Sequence, residues 1–117
     1  AHAFEATLGY SKKLNHGEAV ILGMKTALKF SLKKNIINKN DFKSIINHIS
    51  NLNLSISVKN FFKLRDLNKI VSFMLKDKKN NSNNINLVLL KKIGSPIIDK
   101  EYKKQNLVLF FKSQLAN

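Results

Sequence analysis

Two histidine–carboxylate groupings near the start of the chain are the residues best suited to chemistry. His2 is followed by Glu5 at i+3, and His16 heads the run His16-Gly17-Glu18. An imidazole beside a carboxylate suits a metal ligand, because the carboxylate orients the ring and raises its basicity. By this reasoning Glu18 is the candidate orienter of His16, and Gly17 would let the backbone come close to a bound group. Neither grouping supplies the three protein ligands that a catalytic zinc requires. The plainer alternative is a polar cap at the start of a helix.

Other chemistries are poorly provided for. There is no cysteine, hence no disulfide, thiolate metal site or cysteine nucleophile. The glycines, Gly9, Gly17, Gly23 and Gly94, are too scattered for a dinucleotide fingerprint or a P-loop. No serine stands in a nucleophile elbow. His48 falls inside an amphipathic segment and reads as a structural histidine at or near the surface.

The elements that must hold these residues are mostly helical. From Gly17 to about Lys34, Val20, Met24, Ala27, Leu28, Ser31 and Leu32 recur at helical spacing, with Lys25, Lys29 and Lys33 assigned to the opposite side. Asn38, with Asp41 three residues on, predicts a capped second helix bearing a stripe of Phe42, Ile45, Ile46, Ile49 and Leu52. Residues 53–64 read as loop with a short helical turn. Asp66 is a candidate cap for a third helix facing inward with Leu67, Ile70, Val71 and Met74. The polar run 76–84 predicts an exposed loop. "INLVLL" and "PIID" then form a hairpin, and Leu107, Phe110, Phe111 and Leu115 a last helix from Lys100 onward. The expected fold is mainly α, a helical bundle with one short β-hairpin.

The chain has 117 residues, 44% of them hydrophobic and 24% charged, which fits one globular domain. No apolar run is long enough to span a membrane. A net charge of +14 suggests an anionic partner. Yet Arg65 is the only arginine, whereas base readout and bidentate phosphate contacts favour arginine. Because the lysines are dispersed, a non-catalytic nucleic-acid-binding domain is a secondary reading, as is a helical interaction domain without a ligand.

Taken in order, the motifs say more. The stretch "HAFEATLGYSKKLNHGEAVILGMKTA", His2 to Ala27, contains His2-Ala3-Phe4-Glu5-Ala6, Gly9-Tyr10, His16-Gly17-Glu18-Ala19-Val20 and Gly23-Met24. Further on stand Met74, Asp77-Lys78-Lys79 and Ile93-Gly94. This arrangement resembles the C-terminal domain of the 3-dehydroquinate synthase family over essentially the whole chain. The resemblance implies that residues 1–117 form a C-terminal α-helical domain, with an NAD-binding domain upstream and outside this sequence.

It also implies a function: conversion of 3-deoxy-D-arabino-heptulosonate 7-phosphate to 3-dehydroquinate and phosphate, in the shikimate pathway, with NAD and zinc or cobalt. His16 matches a metal-binding histidine, and His2 a proton-transfer histidine by the substrate. Lys78 and Lys79 match a lysine pair of which one reaches the substrate. The family's other metal ligands correspond to positions ahead of Ala1. The isolated chain is therefore expected neither to hold zinc tightly nor to turn over. A small sugar-phosphate substrate, a homodimer and a cytoplasmic location are further implications. Another sugar-phosphate cyclase of the same superfamily is the alternative.

Overall fold

The computed structural model describes residues 1–52, 54, 56–76, 84–92 and 94–116. The order is α1 (His2–Thr7), α2 (His16–Lys33), α3 (Lys39–Asn51), α4 (Val58–Phe61), a 3₁₀ turn (Leu64–Asp66), α5 (Leu67–Leu75), β1 (Asn84–Lys92), β2 (Ser95–Lys103) and α6 (Lys104–Leu115). The two strands pair antiparallel, so the fold is mainly α with one hairpin, as the periodicity predicts.

Helix α1 has no counterpart among the sequence expectations. It is stopped by Gly9, whose φ of 64° places it in the left-handed region. There the Gly9 N–H donates to Ala6 O (3.0 Å) and the Tyr10 N–H to Glu5 O (2.9 Å). This is a Schellman termination, which glycine permits without steric cost. At the end of α2, Asn35 takes the same left-handed role, with the Ile36 N–H donating to Ser31 O at 2.8 Å. These two stops turn α1 back toward α2, and α2 on toward α3.

The main core gathers around aromatic rings. Phe4 of α1 packs on Phe62 (5.2 Å between centroids) and edge-on to Phe111. Phe30 of α2 lies edge-on to Phe110 and Tyr102. Such tilted and edge-to-face pairs add to the burial of large apolar area. A smaller cluster of Leu28, Ile37 and Ile49 holds α2 to α3. Ser31, fully buried, accepts the Leu90 N–H (3.3 Å) where the strand register shifts. The side chain thereby supplies an acceptor beside the irregular part of the ladder.

Several expectations need correction. Val20 (37% exposed) and Met24 (49%) do not lie in the core. They border an apolar groove of about 430 Å³ that also reaches Phe30, Leu87 and Val88. Lys25, assigned to the outer side, is buried, and its ammonium donates to Ile56 O. Burial first, and the charge of Lys29 second, hold its pKa below the ordinary 10.5. Leu52 is exposed rather than inward. Asp66 stands at the N-cap position of α5 but makes no side-chain capping bond there; its carboxylate accepts the Lys63 N–H at 2.8 Å and closes the preceding 3₁₀ turn. Strand β2 runs to Lys103, so α6 begins later than position 100.

Candidate active site

The site is a corner formed by α1 and the first turn of α2. Helix α2 starts on a complete capping box. Asn15 Oδ1 accepts the Glu18 N–H (2.8 Å), and Glu18 Oε1 accepts the Asn15 N–H (3.0 Å). Buried Leu14 before the cap and buried Ala19 at the fourth helical position join the main core, fixing the direction in which the chain enters. The first helical residue is His16, and this well-anchored turn presents it to solvent with its side chain 78% exposed.

The carboxylate that meets His16 comes from the other helix. Glu5 Oε1 lies 3.2 Å from His16 Nδ1, and the Glu5 side chain is only 15% exposed. Glu18 is therefore not the orienter that its proximity in sequence suggests, because its carboxylate is committed to the cap. Two features bring α1 close enough. Phe4 is anchored in the core beside Glu5. A Cβ added at Gly23 would lie 3.0 Å from the Ala1 backbone N, so the glycine leaves the space in which the start of α1 sits on α2.

His2 is exposed on α1, three residues before Glu5 and hence on a neighbouring part of the same helix surface. Its ring meets Tyr10 edge-on with centroids 6.3 Å apart. Tyr10 itself holds a φ of 57°, an uncommon conformation for a residue with a side chain. Its ring is thereby set against His2 directly after the α1 stop. The structure thus connects His2, Glu5, Tyr10 and His16 at one corner. His48 is exposed on α3. Lys78 and Lys79 lie outside the described residues. Gly17 meets nothing closer than Asn15 Oδ1, 3.5 Å from a Cβ built there, so no described residue requires a glycine at that position.

Among the described residues, no group of three or more His, Asp or Glu side chains is arranged to hold a metal. The donor chemistry nonetheless fits a single imidazole ligand. Nδ1 faces a carboxylate, and no hydrogen bond from a described residue occupies Nε2 on the exposed ring.

The family model described as 3-dehydroquinate synthase C-terminal matches residues 1–80. The chain belongs to the 3-dehydroquinate synthase family. Across 99% of its length it is 56% identical to a Pelagibacter ubique protein named 3-dehydroquinate synthase, and it covers 32% of that relative. Proteins of the same name from Zymomonas mobilis and Endomicrobium trichonymphae are 36% and 38% identical over 98% and 93% of the chain. The chain spans 30% and 28% of their lengths, so it corresponds to about a third of such a protein. No helix among the described residues is long and apolar enough to cross a membrane.

Proposed function

We propose that this chain forms part of the active site of an enzyme converting 3-deoxy-D-arabino-heptulosonate 7-phosphate to 3-dehydroquinate and inorganic phosphate. The observation that carries this reading is the 56% identity over 99% of the chain to a relative named 3-dehydroquinate synthase. Residues 1–117 serve as its C-terminal helical domain, working with an NAD-binding domain that precedes it. The working enzyme is a cytoplasmic homodimer acting on a sugar phosphate.

Within that enzyme His16 is one ligand of a divalent metal, zinc or cobalt, through Nε2. When bound, the metal supplies Lewis-acid activation of substrate hydroxyls and NAD supplies reversible hydride exchange. The chain's own residues do the positioning and the proton handling. His2, exposed and steadied by Tyr10, gives and takes a proton at its imidazole beside the substrate. Lys78 and Lys79 supply ammonium groups for the substrate's phosphate and carboxylate, to which a cationic loop is complementary. The domain's general excess of lysine favours approach of an anionic substrate in the same way.

The test is phosphate release from 3-deoxy-D-arabino-heptulosonate 7-phosphate by the full-length protein with NAD and zinc, for wild type and His16→Ala. Turnover in wild type, with a large drop in kcat/KM for the variant, is the expected result. Undiminished turnover in His16→Ala would return His16 to a helix start. A wild-type protein inactive on this substrate yet active on another sugar phosphate would move the function to a related cyclase.

A further inference from the structure

We infer that Glu5 is the positioning residue of His16. It accepts the Nδ1–H hydrogen bond, fixes the proton on that nitrogen and leaves the Nε2 lone pair free for a metal. This rests on the reading of His16 as a metal ligand and adds to it a carboxylate that neighbouring sequence does not reveal.

Three observations carry it. The contact, Glu5 Oε1 to His16 Nδ1 at 3.2 Å, joins residues eleven apart on different helices. The Glu5 side chain is largely buried while the imidazole it holds is largely exposed, so the carboxylate is the fixed member and the ring the presented one. The carboxylate nearer in sequence, Glu18, turns back to accept the Asn15 N–H, so the one set against His16 is Glu5. An imidazole whose one nitrogen donates to a carboxylate is locked in tautomer and ring direction, and its other nitrogen is the more basic for it.

A purely structural role, an ion pair tying α1 to α2, would give a different outcome. An ion pair whose imidazole stands in solvent contributes little to stability and does not need a particular neutral tautomer. The separating measurements are two, both on the full-length protein. One is zinc affinity by competition with a chromophoric chelator. The other is the His16 tautomer, read from ¹⁵N chemical shifts of the metal-free, histidine-labelled protein at a pH where the ring is neutral.

In wild type the proton should reside on Nδ1. Glu5→Leu, which removes the acceptor, should move it toward Nε2 and weaken zinc binding by about 10–100-fold. Glu5→Gln keeps an acceptor oxygen at the same reach and should lose less than about 10-fold, a conservative rescue that also guards against a misfolded leucine variant. His16→Ala is the control. If it leaves zinc affinity unchanged, the metal reading of His16 fails. If it abolishes tight binding while both Glu5 variants keep wild-type affinity and tautomer, the Glu5 inference alone is overturned.

Discussion

Helices α2 and α3 begin with the same local grammar, yet among the described residues the proposed site is at the start of α2 and not of α3. Each has an asparagine cap whose Oδ1 accepts the backbone N–H three residues on, at 2.8 Å in both cases. Each has an acid at that third position, Glu18 or Asp41. Each has a buried residue just before the cap: Leu14, which shares a cluster with Ala19, and Ile37, which shares one with Phe42. The first helical residue differs, His16 against Lys39. So does what lies across from it, since Glu5 reaches over from α1 only at α2. Capping is thus a property of a few consecutive residues, whereas a site needs a second element brought alongside. The polar sequence around His16 is both things at once. Asn15 and Glu18 serve the helix, and His16 with Glu5 is the pair proposed for the chemistry.

The most severe way to break this contrast is to give α2 the first residue of α3. His16→Lys keeps Asn15, Glu18 and the capping bonds, so the thermal midpoint should stay near that of wild type. The proposed metal ligand is gone, however, and a strongly hydrated ammonium replaces it. In the full-length protein kcat/KM should fall by more than the ~100-fold at which loss of a supporting residue tops out. Metal content after dialysis should fall with it. Retained metal and activity would mean that the two helix starts differ only in appearance.

Removing the caps in parallel should produce equal structural costs and unequal functional ones. Asn15→Ala and Asn38→Ala each delete a backbone-capping acceptor of equal geometry, worth about 1 kcal/mol, the second together with only a long donation from Asn38 to Asp41 at 3.5 Å. In site-resolved hydrogen exchange, the Glu18 and Asp41 amides should each exchange about five-fold faster, the factor that follows from such a loss. Zinc affinity should decline only for Asn15→Ala, because the turn that frays is the one presenting His16. Equal declines in both variants would show that metal binding follows overall stability and not the local geometry of α2.

Much of this was legible in the sequence, and the gaps have physical reasons. The apolar stripes of α3 and α5, the Asn38 cap and the hairpin follow from period and capping chemistry, which act over a few residues. Helix α1, only six residues long, is too short to signal itself by period and depends on Phe4 reaching the core and on Gly23 making room. Val20 and Met24 are indeed apolar at helical spacing, but they face a groove that no described residue covers. Lys25 departs from the pattern because its ammonium, instead of reaching water, meets the Ile56 carbonyl. In the site, His2 and His16 stood out through their motif. The pairing of His16 with Glu5 did not, since it depends on how the Gly9 stop and the following turn fold α1 onto α2.

The finest difference between the two starts concerns a single methylene. Glu18 is long enough to reach back to the Asn15 N–H at 3.0 Å and complete the box. Asp41 is not; its Oδ2 stands 3.5 Å from the Asn38 side-chain nitrogen. Asp41→Glu should therefore complete the second box and stabilise the start of α3 by about 0.3–0.5 kcal/mol, at the low end for a single capping improvement. Part of any gain in global stability would come from the better helix propensity of glutamate, so a melting curve alone does not isolate the new bond. The Asn38 amide does, because only a carboxylate reaching back can protect it from exchange with solvent. Slower exchange at Asn38 in Asp41→Glu, matched by faster exchange at Asn15 in Glu18→Asp, is the expected pair of results. An Asn38 amide that exchanges as fast as before would show that reach alone does not make the box, and that the entry direction set by Leu14 and Ala19 in α2 contributes what Ile37 and Phe42 do not.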